Sequence, residues 1–201
     1  NTDKVLTHVV FDFYEDGYNA GLWAKEYIEN KLGGYAQVAV IGFPQSDIVS
    51  GLRTDGFIDA VTELEGVEIV AKKDGKASST ESMAVAAAIL SDYPDVDMFF
   101  GVNYDIGAGA KTAIEAAGSD TVVVTTAWAV EAFEELENND PIILALTICS
   151  PEVQAADTIK AVSEYFAGKD LPPEYLSHSS VYDASNINTL DYEEIVAKRG
   201  E

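Results

Sequence analysis

Two short segments of almost unbroken apolar residues, Val38–Phe43 (VAVIGF) and Met98–Val102 (MFFGV), constrain the fold more than anything else in the chain. A strand with one face in water alternates apolar with polar residues. A run that is apolar at nearly every position is buried on both faces, as in a parallel sheet covered by helices. Around these segments the apolar period switches repeatedly between that of a strand and that of a helix. Further strands are predicted at Leu6–Phe13, Val67–Ala71, Thr121–Thr126, Ile142–Ile148 and Val181–Asp183. Helices are predicted at Asp16–Leu32, Ser46–Glu65, Thr80–Leu90, Ile106–Ala117, around Val130–Leu136, from Pro151 to about Ala167, and within Tyr192–Lys198. Gly33-Gly34 and Gly118 stop two of these helices, and Pro151 suits the first turn of another. Strands and helices alternate with no hairpin signal between them. The expected fold class is therefore α/β: a doubly wound parallel sheet of about six strands with helices on both faces, Val38–Phe43 and Met98–Val102 being central.

Composition removes several kinds of function. The 201 residues are 47% apolar and 23% charged, the balance of a protein with a sizeable core. Lys and Arg number 12 against 35 Asp and Glu, a formal net charge of −23. Such a surface repels polyanions, so neither nucleic acid nor an anionic membrane is expected as a partner. No apolar run approaches the roughly 20 residues that span a bilayer. Cys149 is the single cysteine, so no intrachain disulfide forms. His8 and His178 lie far apart, which leaves no metal-ligand spacing, and neither a metal nor a cofactor is expected. No G-x-S-x-G elbow occurs. Asp105–Thr112 (DIGAGAKT) carries Asp105 and Ala110 where a phosphate loop needs glycine; its small residues suit close packing of a helix on the sheet. Glu131, Glu134, Glu135 and Glu137 read as a solvated helix face. No catalytic residues are expected. The sequence opens at Asn1 without a charged-then-apolar leader, so the expectation is a removed signal or a piece of something longer.

In open parallel sheets, ligands bind where strands end and loops lead into helices. Those loops contain Asp12-Phe13-Tyr14, Phe43-Pro44-Gln45, Asn103-Tyr104-Asp105, Ala127-Trp128 and Cys149-Ser150. Aromatics, amides and a carboxylate suit a neutral polar ligand with a flat apolar face. Arg53, early in the helix after Phe43-Pro44, either points back to that edge or forms a surface salt bridge.

Several segments carry a resemblance. Asp16–Gly21 resembles a D-N-x-x-G-G-x-x-A helix, and Phe43–Val61 (FPQSDIVSGLRTDGFIDAV) a G-x-x-G-x-x-x-x-x-x-R-x-x-G-F-x-x-A-I segment. Tyr93–Gly109 resembles H-P-D-I-x-A-I-F-x-x-N-D-x-M-A-L-G, Ile148–Ala155 the A-Q-x-P-E-x-x-G turn, and Asn186–Asn188 a closing T-x-x-N. In order and spacing the chain resembles the type I periplasmic solute-binding proteins of ABC importers, in the ribose- and galactose-binding branch.

That resemblance implies a clamp of two α/β lobes joined by three crossing strands, with the ligand in the cleft. Residues 1–12 are then the remnant of the amino-terminal lobe and a crossing strand, and 13–148 the carboxy-terminal ligand-binding lobe. Residues 149–175 are a helix that packs on the missing lobe, and 176–201 a return strand and tail. The chain is expected to be a truncated receptor. The helix after Pro151 is expected to expose Val153, Ala156, Ile159, Val162 and Phe166 and to self-associate through them.

Residue by residue, Arg53 matches the family's sugar-hydroxyl arginine, Asn103 its binding asparagine and Trp128 its aromatic. Phe13, Pro44, Tyr104, Asp105 and Cys149 complete the expected ligand-binding set. The sequence departs from the pattern at Tyr104 and Ala129, where the family has aspartate, and at Cys149, where it has glutamine. The implied function is capture of a small polar, sugar-like solute and its delivery to ABC permease subunits, outside the cytoplasm and without catalysis. The alternative is the effector-binding domain of a LacI-type regulator or a sensor, which shares the fold; the acidic excess and the Y-P-D-V-D and I-C-S-P-E segments favour transport.

Overall fold

The computed structural model describes residues 5–190. The helix predicted within Tyr192–Lys198 lies outside the described residues. The first strand, β1 (His8–Phe11), leads into α1 (Phe13–Lys31). Then follow β2 (Ala36–Gly42), a π-helical turn (Asp47–Gly51), α2 (Leu52–Val61), β3 (Val67–Asp74) and α3 (Ser79–Asp92). Next come β4 (Met98–Gly101), α4 (Tyr104–Ala117), β5 (Val122–Thr126), α5 (Val130–Glu137) and β6 (Ile143–Ile148). The chain continues through α6 (Pro151–Phe166), β7 (Glu174–Ser177), β8 (Ser180–Asp183) and a 3-10 turn (Ile187–Thr189).

The main sheet has six strands in the order β3-β2-β4-β5-β6-β8. Five are parallel, with Val38 beside Met98, Met98 beside Val122 and Thr126 beside Thr147. The sixth departs from the parallel expectation: β8 pairs antiparallel with β6, Leu146 facing Tyr182. The reason lies in the path of the chain. It leaves β6 for α6 and the second sheet, runs along β7, and crosses at His178-Ser179 to enter the main sheet at the carboxyl end of β6, where Ser180 pairs with Ile148. β7 was not foreseen. It is four residues long and pairs with β1 in a separate two-stranded parallel sheet.

The apolar runs do what their composition requires. Val38 through Ile41 and Met98 through Phe100 are fully buried inside the sheet. Phe100 stacks on Phe57 of α2, with ring centroids 4.1 Å apart. Gly101, on the opposite face, lies against Gly107 of α4. Successive residues of one strand thus meet helices on opposite faces, which is the double winding expected.

Helix boundaries follow side-chain caps. Asp12 caps α1 by accepting from the Glu15 N–H at 2.9 Å, so that helix starts three residues before the predicted Asp16. Asn103 caps α4 through Oδ1 and the Ile106 N–H at 3.0 Å. Gly118 closes α4 in the left-handed conformation, φ 62°. Among the described residues no helix is long and apolar enough to cross a membrane.

Candidate functional site

The chain passes between the two sheets three times, at Asp12, at Cys149-Ser150 and at His178-Ser179. These segments are tied together: the Asp12 N–H donates to the Ser177 carbonyl at 3.0 Å, and Gln154 Nε2 donates to the Val9 carbonyl at 3.1 Å. Beside them, over the carboxyl ends of β4, β5 and β6, lies a hollow of about 440 Å³.

Six of the eight predicted residues line this hollow: Arg53, Asn103, Tyr104, Asp105, Trp128 and Cys149. Phe13 does not line it, but its ring supports the Arg53 guanidinium from 5.1 Å. Pro44 stands apart. It lines a second hollow of about 570 Å³ with Asp47, Lys72 and Lys73. β2 lies next to the edge strand β3, and Ser50 Oγ, accepting from the Phe43 N–H at 2.9 Å, holds the following loop over that edge.

Arg53 reaches the site from the first turn of α2. Its Nε donates to Asp16 Oδ2 at 2.6 Å and its Nη1 to the Val102 carbonyl at 3.1 Å. It does form a salt bridge, but a buried one: the two side chains are 12% and 0% exposed. Asn103 has Oδ1 engaged as a helix cap, which turns its amide nitrogen into the group available for a ligand. Trp128 meets Phe133 edge-on at 5.8 Å.

Two lining groups are held in their neutral forms. Burial, then the charges of Glu135 and Glu131, push the Tyr104 hydroxyl well above the ordinary tyrosine value. Burial, then the charge of Asp16, push the Cys149 thiol up to about 12, against the opposing pull of Arg53. Cys149 is therefore no thiolate nucleophile. Behind Tyr104, Lys111 binds Glu135 at 3.0 Å and also pairs with Asp140.

Sequence reasoning missed Phe11, Thr126, Thr147 and Pro151 among the lining residues, and Asp16 behind them. Asp16 was legible: it shares the i, i+4 face of α1 with Ala20, Ala24 and Ile28, all buried. Among the described residues, Asp16 Oδ1, Glu135 Oε2 and Thr147 Oγ1 are buried without a hydrogen-bond partner. No group of three or more His, Cys, Asp or Glu able to hold a metal occurs among the described residues.

The fold is thus an open α/β sheet whose chain crosses three times to a second small sheet, with an amphiphilic hollow at the crossings. The chain belongs to the family of the periplasmic binding protein domain, which matches residues 1–170. The resemblance read from its motifs to the periplasmic binding proteins is borne out. It is 26% identical over 183 residues to a D-apiose import binding protein of Paraburkholderia graminis, covering 84% of this chain and 57% of that protein. It is 31% identical over 93 residues to a D-ribose/D-allose-binding protein of Pseudomonas aeruginosa, covering 46% of this chain and 29% of that protein. Among solved structures, GanP, a glucose-galactose binding protein from Geobacillus stearothermophilus, superposes with a TM-score of 0.78 at 26% identity, over 92% of this chain and 65% of that one. The chain thus spans less than two thirds of the length of each of these proteins.

Proposed function

We propose that the chain is the carboxy-terminal lobe of a two-lobed receptor that captures a sugar outside the cytoplasm and presents it to ABC permease subunits. The observation that carries this reading is the convergence of Arg53, Asn103 and Trp128 on one hollow beside the three crossings. A flat indole, a fork of guanidinium donors and an amide suit a ring with one apolar face and a polar rim. The names of three relatives specify apiose, ribose and allose, and glucose and galactose as what they bind. Titration calorimetry of the full-length receptor against pentoses and hexoses tests the reading: at least one binds, and failure of all of them overturns it.

Residues 1–12 and 149–175 then belong with the other lobe. The exposed face of α6 supports this, with Ile159 71% and Phe166 81% exposed. Leu6, Val162 and Tyr165 line an apolar hollow of about 360 Å³ beside it. In the receptor this face is covered by the rest of the amino-terminal lobe. In the 201-residue chain alone it is expected to meet a second copy. Sedimentation should show concentration-dependent dimers that the double variant Ile159→Glu, Phe166→Glu disperses; a monomer at every concentration contradicts this arrangement.

A further inference from the structure

We propose that the sugar held by this lobe is a neutral deoxy sugar, bound with its deoxygenated edge against Ala129 and Cys149. This rests on the reading of the hollow as a sugar site and goes one step further, to the class of sugar.

Past the Thr126 and Thr147 hydroxyls at the ends of β5 and β6, the wall that continues through the following loops is carbon and sulfur. Ala127, Ala129, Phe11 and Pro151 present apolar atoms, and Cys149 presents a protonated thiol, a weak acceptor. The Ala129 carbonyl already accepts the Phe133 N–H at 3.3 Å and the Thr147 carbonyl the Ala127 N–H at 3.0 Å, which leaves each only its second lone pair. A ligand hydroxyl pressed on this wall loses water and gains no acceptor of comparable strength, a loss of roughly 10- to 100-fold in affinity. A methyl or methylene group there loses nothing and buries apolar surface.

Position 129 strengthens the inference independently. Ala129 is the N-cap of α5 and makes no side-chain cap hydrogen bond. An oxygen-bearing side chain would cap the helix and also offer the ligand an acceptor; alanine does neither. The helix forgoes its side-chain cap at a residue that forms part of this apolar wall.

The opposite side is polar but carries no excess positive charge. The Arg53 guanidinium is matched by the Asp16 carboxylate at 2.6 Å, and Asp105 adds a negative charge at the rim. A sugar acid or sugar phosphate finds no uncompensated cation. The donors that remain, from Arg53 and the Asn103 amide, face the ring oxygen, and Asp105 accepts from hydroxyls at the rim. On the floor, Thr147 Oγ1 is fully buried, lines the hollow and has no partner. It provides for one further ligand oxygen.

The test is calorimetry on the full-length receptor with matched pairs: D-fucose and D-galactose, L-rhamnose and L-mannose, 5-deoxy-D-ribose and D-ribose. The expected result is that a deoxy member binds about 10-fold or more tighter than its hydroxylated counterpart. Ala129→Asp should reverse the preference while leaving the unfolding temperature unchanged or raised, since aspartate caps α5. If the hydroxylated members bind equally or tighter, this inference fails while the sugar reading stands. If no member of any pair binds while another pentose or hexose does, this inference fails and the sugar reading stands; if no pentose or hexose binds at all, both fail.

Discussion

Arg53→Ala is expected to lower the unfolding free energy of the chain by about 3–5 kcal/mol, because it strands a charge in the core. The Asp16 carboxylate is fully buried, and its Oδ2 receives the Arg53 Nε at 2.6 Å. Its other oxygen already has no partner. Arg53 also satisfies the Val102 carbonyl at the end of β4 and rests on the Phe13 ring, so its loss removes support from two elements at once. In the full-length receptor the same variant should weaken sugar binding by on the order of 30-fold or more, since ligand acceptors lose a charged donor. A surface arginine would give the second effect alone. Urea denaturation separates the two: the midpoint of Arg53→Ala falls, and Asp16→Asn added to it recovers part of the loss because the buried charge is gone. An unfolding free energy within about 0.5 kcal/mol of the parent, the range usual for surface substitutions, would show that the pair does not hold the fold.

The same arginine shows what the sequence makes legible and what it does not. Its position soon after one strand and one loop is a local feature, but local features leave open whether it faces the carboxyl edge or pairs at the surface; the resemblance to the family points it to the site. Asn103, Tyr104, Asp105, Trp128 and Cys149 were found in the same way, each within a few residues of a strand end that its apolar run announces. What stayed hidden depends on pairing across the chain. Thr126 and Thr147 read as strand interior, and only their register, side by side at the ends of β5 and β6, puts both in the hollow. β7 has four residues, Glu174 and Ser177 among them, and takes its identity from β1 more than 160 residues away. The reversed direction of β8 has the same origin, since a short strand carries no mark of which way its neighbour runs. Pro44 was drawn into the site by the rule that ligands gather at strand ends. The rule holds for the edge as a whole but does not say that β2, next to the outer strand, opens its loop away from β4 and β6.

Gly17→Ala is expected to destabilise the chain by about 3 kcal/mol or more, the reverse of the usual result in a helix interior. Replacing glycine by alanine ordinarily favours a helix by roughly 0.5–1 kcal/mol. Here a Cβ on Gly17 would stand 1.9 Å from the Arg53 carbonyl oxygen, and one on Gly56 would stand 2.1 Å from the Tyr14 carbonyl oxygen. Both obstacles are backbone, so no rotamer change relieves them, and α1 and α2 must move apart. That separation reaches the site directly. Asp16 precedes Gly17 on α1, Arg53 lies on α2, and a 2.6 Å hydrogen bond between them does not survive a displacement of an ångström. Gly51 supplies the control: a Cβ there meets only Asp47 Cβ at 3.9 Å, ordinary contact distance. Gly51→Ala should therefore be neutral or slightly stabilising in the same urea titration. If Gly17→Ala and Gly51→Ala unfold at the same midpoint, the two helices are not in backbone contact, and the spacing that sets the Asp16–Arg53 pair has another origin.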